Sequence, residues 1–409
     1  MNIIVYAHSM EIGGSQLNAI EIGEAVQALG HRVLLVAEDG QLSANAENAG
    51  LEHFRVSERR SRPSPGVMKS LTTLVRERNI DVVHGYEWPP AIDAWLGPHL
   101  RSQTPVVATV MSAVVAPFLP RSMPLVVGVE ELRRKCLTQG FRSVSLIEPP
   151  VNVHANSPAW DGSAFRNRYQ ISADTILVVV VCRLARELKL EGLLAACRTI
   201  GKLAGEGARI RLAIVGDGPV RAEVTAAADR ANAQIGSKSP IIMTGELSDP
   251  RTAYAAADIM LGMGGSALRG LAFGKPLVVQ GERGFWKLCS PQSVAEFLES
   301  GWYGLGDGRS GDEALLAALK PVLASQELRT QLGAFGRKLI VDRFSLEHAA
   351  NLQLHIYERA IALNSRPKAL EVMRTAWGAT QHKLQRRWRR TWGASPADDF
   401  NAVSQQLKR

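Results

Sequence analysis

Short apolar blocks alternate along this chain with longer stretches in which apolar residues recur every third or fourth position. Ile3 to Ala7 is the first block and predicts a buried strand; a glycine turn at Gly13-Gly14 and a periodic stretch from about Ser15 to Leu29 predict the helix that follows. The segments RVLLVAE, NIDVVHGYE, TPVVATVMS and PLVVGVE continue the strand series, and AIDAWLGPHL reads as a helix between two of them. Strands separated by helices imply βαβ units, hence a parallel sheet covered on both faces.

The alternation stops at residues 147–158, IEPPVNVHANSP, where three prolines and two asparagines predict a linker. It restarts with TILVVVVCRL, RIRLAIVGDGP, PIIMTGEL, AADIMLGMG and GKPLVVQGE, the expected strands of a second parallel sheet. The fold class expected is α/β, two tandem Rossmann-like doubly wound domains followed by a helical basic tail. Their bounds are expected at 1–150 and 151–343, with a helix over 344–365 running between the domains and a tail over 366–409. Two such sheets in tandem leave a cleft between the carboxyl ends of their strands, where open α/β sheets bind ligands.

Composition agrees with a globular chain of two cores: 409 residues, 46% hydrophobic and 21% charged. The four cysteines stand far apart with no CxxC pair, against a disulfide framework or a structural metal and in favour of a reducing cytoplasm. Neither a leader segment nor a long apolar run is evident, so neither secretion nor membrane spanning is expected. The formal charge of +9 would suit a nucleic-acid binder if it were spread over the body. It is not: ten Lys/Arg and three acidic residues lie between Arg366 and Arg409, which assigns +7 to the tail and leaves the body nearly neutral.

The chemistry is expected at the strand ends. Gly13-Gly14 with Ser15, Gly216-Asp217-Gly218, and Gly264-Gly265-Ser266 are glycine-rich turns at helix starts, where amide N–H groups and a helix dipole favour an anion. Any one of them could equally use glycine for geometry alone. Arg183 and Lys189 follow the strand TILVVVV and suit a diphosphate, or equally a solvated strand-end pair; Arg269 lies one turn into the helix after Gly264. Glu246 and Glu282 end strands and could accept hydrogen bonds from sugar or ribose hydroxyls, or serve as caps.

With these residues in hand, MEIGGSQLNAIEIGEAVQALGHRV, CRLARELKLEGLL, AIVGDGPVRAEV, MTGELSDPRTAYAAADIML and GLAFGKPLVV together resemble the landmarks of the family 4 retaining glycosyltransferases of GT-B fold, over about residues 1 to 360. The resemblance implies a metal-independent transferase, without cofactor, that moves a sugar from a nucleoside-diphosphate sugar to a glycan, lipid-linked or small-molecule acceptor with retention. It implies that Arg183 and Lys189 grip the pyrophosphate and that Gly13-Gly14 is the family's N-terminal glycine turn.

Three positions depart from the family. Its two donor-loop glutamates fall on Leu261 and Arg269, and a histidine after the strand TPVVATVMS falls on Met111. The reading that accommodates this gives Arg269 to the anion, Glu282 or Glu246 to hydroxyl binding, and His84 or His8 to the acceptor side. Alternatives are a non-catalytic nucleotide-sugar binder and a GT-B enzyme of other chemistry, such as an epimerase.

In the tail, residues 382–393 interleave Arg386, Arg387, Arg389 and Arg390 with Trp388 and Trp392. A short basic helix on an anionic membrane, a nucleic-acid arm or a solvated tail would each carry that composition. The membrane surface is the partner expected and nucleic acid is not, which places the chain in the cytoplasm, peripheral to the inner face of the membrane.

Overall fold

The computed structural model describes residues 1–11, 13–57, 61–112, 114–235 and 239–391, with the side chains at 386, 387 and 389–391 left aside. The chain forms two compact units, Met1–Pro150 with Leu346–Arg409, and Val151–Ser345.

Unit 1 is built on β1 (Asn2–Tyr6), β2 (Arg32–Ala37), β3 (Glu52–Arg55), β4 (Val82–Tyr86), β5 (Val106–Val110), β6 (Leu125–Val127) and β7 (Val144–Leu146). They form one parallel sheet in the order β3-β2-β1-β4-β5-β6-β7. Successive side chains on a strand point to opposite faces, so β1 sends Ile3 and Val5 into one core and Ile4 and Tyr6 into the other. This double burial is why its strands read as continuous apolar runs.

Unit 2 contains β8 (Ile176–Val181), β9 (Ile210–Val215), β10 (Ile241–Gly245), β11 (Ile259–Gly262), β12 (Leu277–Gln280) and β13 (Trp286–Leu288). Their order is β10-β9-β8-β11-β12-β13, parallel except for the antiparallel edge strand β13. Leu177 and Val179 face one core of this unit, Val178 and Val180 the other.

The three strands that the apolar pattern does not predict, β3, β7 and β13, are all edge strands. They are short and only partly buried, so their sequences carry no long apolar block. The helix expected to run between domains forms as Leu346–Ala362 and packs into unit 1, with Leu346, Ala349, Ala350, Tyr357 and Ala360 in the core that also holds Ile20 and Val26 of the helix Gly14–Ala28. The basic tail continues as one long helix, Ala369–Thr391, also part of unit 1.

Close packing at the end of β4 sets one sharp steric limit. A Cβ on Gly85 would lie 2.5 Å from the backbone nitrogen of Ala91, in the helix Trp88–Ala94 that follows directly. Gly85→Ala is expected to cost about 1–3 kcal/mol of stability by overpacking. Urea unfolding would check this, and an unchanged midpoint would contradict the packing described.

Candidate functional site

Strand order locates the site in each unit. In a doubly wound sheet, ligands bind beyond the carboxyl ends of the strands where the order reverses. That point lies between β1 and β4 in unit 1 and between β8 and β11 in unit 2.

In unit 2, the loop after β8 carries Arg183 and Lys189 and is held in place by backbone contacts. The amide of Leu184 donates to the carbonyl of Asp217 at 2.9 Å, and the buried Gln280 amide donates to the carbonyls of Leu188 and Lys189 at 3.3 and 3.2 Å. Lys189 caps the helix Leu190–Gly205, half-buried, and burial lowers its pKa. Arg183 is exposed.

Across the switch point, β11 ends at the turn Gly262–Gly264 and the helix Gly265–Ala272 begins. Gly264 has φ 54° and ψ −134°, a conformation suited to glycine, with nothing within 4 Å of where a Cβ would stand. Its own amide is already taken by the carbonyl of Trp302 at 2.9 Å. Among the described residues, the next amides, of Gly265 and Ser266, have no acceptor one turn back and remain available; the Ser266 hydroxyl itself donates to the carbonyl of Met263 at 3.0 Å.

Arg269 folds back over this turn, its Nη1 being 3.7 Å from the position of a Cβ on Gly265. A guanidinium at the N-terminal end of its own helix opposes the helix dipole. Among the described residues, Arg183, Lys189 and Arg269 have no ion pair with a carboxylate. Three cations and two available amides thus border one switch point, and no carboxylate among the described residues pairs with those cations.

The remaining donor-side residues divide. Glu282 accepts from the Tyr303 hydroxyl at 2.5 Å, and its main chain is locked between Gly304 and Gly306. Glu191, in the first turn of the helix Leu190–Gly205, receives the amides of Arg283 and Gly284 at 2.9 and 2.6 Å and fixes the turn beside it. Glu246 is exposed at the end of the edge strand β10, two strands from β8.

Gly216 is not an anion donor, contrary to expectation. Its amide donates to the carbonyl of Gly245 at 2.9 Å, and a Cβ there would lie 1.9 Å from the carbonyl oxygen of Cys182. The amide of Gly218 is taken by Asp217 Oδ1 at 2.7 Å. The turn uses glycine to let backbones approach, which holds the Arg183 loop in position.

In unit 1, the helix Gly14–Ala28 starts at the switch point with Gly13 as its N-cap and no acidic residue in its first turn. Gly14 is exposed, with nothing within 4 Å of a Cβ position. Gln16 ties this start to the loop after β1 through the Ser9 hydroxyl at 2.8 Å and His8 Nε2 at 3.3 Å.

On the other side of the switch point stands Glu87, a residue that the sequence reading passes over. It has φ 70°, unusual for a non-glycine residue, and is buried. Its carboxylate accepts from the amide of Met111 and the hydroxyl of Ser112, both at 2.9 Å. Burial raises its pKa, while these bonds and the Ser15 hydroxyl pull it back. Its signal in the sequence was a carboxylate at a strand end ahead of Trp88-Pro89-Pro90, the same placement that drew attention to Glu282. Met111 packs its methyl group toward Gly128, where a Cβ would lie 2.7 Å from it.

His84 is corrected from an acceptor-side group to a core residue. It is fully buried, with Nδ1 2.7 Å from the Tyr357 hydroxyl and Nε2 2.7 Å from Thr109 Oγ1. Burial pushes its pKa down to about 3, so it stays neutral and unreachable by substrate. It fastens the helix Leu346–Ala362 to β4 and β5.

The family model Glycosyltransferase Family 4 matches residues 12–121, and Glycosyl transferases group 1 matches residues 175–297. A 2-deoxystreptamine glucosyltransferase from Streptomyces kanamyceticus is 30% identical over 198 residues, spanning 44% of this chain and 45% of that relative. Among solved structures, a glycosyltransferase from Rickettsia africae superposes with TM-score 0.70 at 16% identity, covering 89% of this chain and 99% of its own. Anabaena HepE in complex with UDP gives 0.69 at 13% identity, covering 88% and 100%. At such identities the structural likeness establishes the fold.

His84 supplies a pH test. Its pKa is about 3 in the folded chain and ordinarily 6.5, so between those values the unfolded chain binds a proton that the folded chain does not. Stability is therefore expected to fall as pH drops below about 6.5, by up to about 1.4 kcal/mol per pH unit from this group. Urea unfolding at about pH 7.5 and about pH 5 should show a shallower pH dependence in His84→Gln than in the parent chain.

Proposed function

Because the chain belongs to the glycosyltransferases of GT-B fold, we propose that it transfers a sugar from a nucleoside-diphosphate sugar to a hydroxyl of a glycan, lipid-linked or small-molecule acceptor, with retention and without a resident metal. The observation that carries this reading is the uncompensated positive charge at the switch point of unit 2. Arg183, Lys189 and Arg269, with the free amides of Gly265 and Ser266, are the partners that a diphosphate requires. The UDP complexes of Anabaena HepE make UDP the nucleotide to test first.

In the reaction, the bond from the sugar C1 to the β-phosphate oxygen breaks and its electron pair stays on that oxygen. The acceptor oxygen forms the new bond to C1, and its proton passes to the released diphosphate. Negative charge grows on the leaving group, so preformed cations and amides stabilise the transition state more than the ground state. They take the neutralising role that a divalent metal would otherwise fill. Glu282, oriented by Tyr303, is the group assigned to a donor hydroxyl. Glu87 is a positioning residue, fixing Met111 and Ser112 at the end of β5.

A thermal-shift titration with UDP, GDP, ADP and their sugars tests the reading, since a ligand that binds only the folded state stabilises it by RT ln(1 + [L]/Kd). One nucleotide series is expected to raise Tm. Arg183→Ala, Lys189→Ala and Arg269→Ala should each weaken that nucleotide about tenfold or more and reduce turnover about 100-fold, as for loss of an oxyanion-type donor. Lys202→Ala, on an exposed helix surface, should change neither. Absence of a shift with every nucleotide would overturn the proposal, and a product of inverted anomeric configuration would overturn retention.

A further inference from the structure

The C-terminal helix Ala369–Thr391 has two apolar faces, and the fold buries one of them. Thr375 and Ala379 are buried, Val372 packs on the unit 1 core, and His382 sets its ring edge-on to Trp88 at 5.3 Å. Gly378 lets this face approach closely, because a Cβ there would lie 2.5 Å from Phe118 Cβ.

The other face is turned to solvent. At 3.6 residues per turn, Leu370, Met373, Trp377 and Leu384 fall within an arc of about 60°, opposite the buried side, and run about 21 Å along the helix. They are 75, 61, 67 and 59% exposed, and Trp388, 71% exposed, continues the row. Single exposed apolar residues are ordinary, whereas an aligned row of large ones marks an interaction surface.

Charge identifies what the row meets. The one carboxylate on this helix, Glu371, is turned away, accepting the amide and hydroxyl of Ser122 at 2.9 and 2.8 Å. Arg366 and Lys368 stand just before the helix and Arg374 falls about 40° from the row, while residues 386, 387, 389 and 390 in the last turns of the helix are all arginine. A second copy of this helix would bring the same positive charge against itself. An anionic bilayer takes both features, the apolar row at the acyl boundary and the cations at the headgroups. No helix among the described residues is long and apolar enough to cross a membrane, which leaves attachment along the surface.

We propose that this helix is the docking surface of unit 1 on an anionic lipid bilayer, with Leu370, Met373, Trp377 and Leu384 inserted. The expected contact at 382–393 thereby moves toward the chain's start; Trp392 and Gly393 lie outside the described residues. Since the helix is already folded onto unit 1, binding orders little new chain and fixes that unit's orientation on the surface. The inference stands on this helix alone and does not depend on the sugar-transfer reading.

Co-sedimentation of the full chain with vesicles of phosphatidylcholine alone, and with about 30% phosphatidylglycerol, tests it. Binding is expected to the anionic vesicles, to weaken with salt and to shift tryptophan emission to the blue. Trp377→Glu and Leu384→Glu, both at exposed positions, should reduce it about tenfold or more while leaving Tm unchanged. Equal binding by these variants, equal binding to neutral vesicles, or no binding would overturn the proposal. So would a self-association that Trp377→Glu abolishes without any vesicle binding, which would identify a second copy as the occupant.

Discussion

The structure of unit 2 turns on positive charge that no carboxylate among the described residues pairs with. Arg183, Lys189 and Arg269 border the point where the strand order reverses, together with the unpaired amides that open the helix Gly265–Ala272. A chain of this composition has carboxylates available; it spends them on other surface pairs such as Arg186 with Glu223 and Arg251 with Asp249. Lys189 is half-buried besides, and burial disfavours its charged form.

The backbone around Arg183 and Lys189 is held in place by the surrounding loops. Gly216 and Gly218 let the turn after β9 pack directly against the carbonyls of Cys182 and Leu184, while Gln280 holds the carbonyls of Leu188 and Lys189. Glu191 and Tyr303 do the same for the turn around Glu282. Preorganisation of this kind is what allows fixed dipoles and cations to favour a transition state, since nothing need reorganise as charge develops. Unit 1 treats its own switch point alike: Glu87 is held in a costly backbone conformation and fastens the end of β5 beside the start of the helix Gly14–Ala28.

The two helices after Ser345 extend unit 1 in different ways. The first completes its core, with Tyr357 reaching the buried His84. The second uses one face for packing and keeps another apolar face outside, in the segment that carries the chain's excess of basic residues. The body of the chain is nearly neutral, and its net positive charge lies in the segment from Arg366 onward.

The sequence by itself marked the two α/β units, ten of the strands described, the break in their alternation over 147–158, and the cations Arg183, Lys189 and Arg269 in the segments that follow β8 and β11. Each of these leaves a local mark: an apolar run, a proline cluster, or a charge after a strand. Only the tertiary structure decided which glycine turns were free to meet an anion, because an amide's availability depends on acceptors far away in the chain, as Gly245 is for Gly216 and Trp302 for Gly264. It also decided that His84 is core and Glu87 a fastener, and that the last helix has a buried side. A side chain's exposure is set by what other elements lay over it, and no spacing within one segment records that.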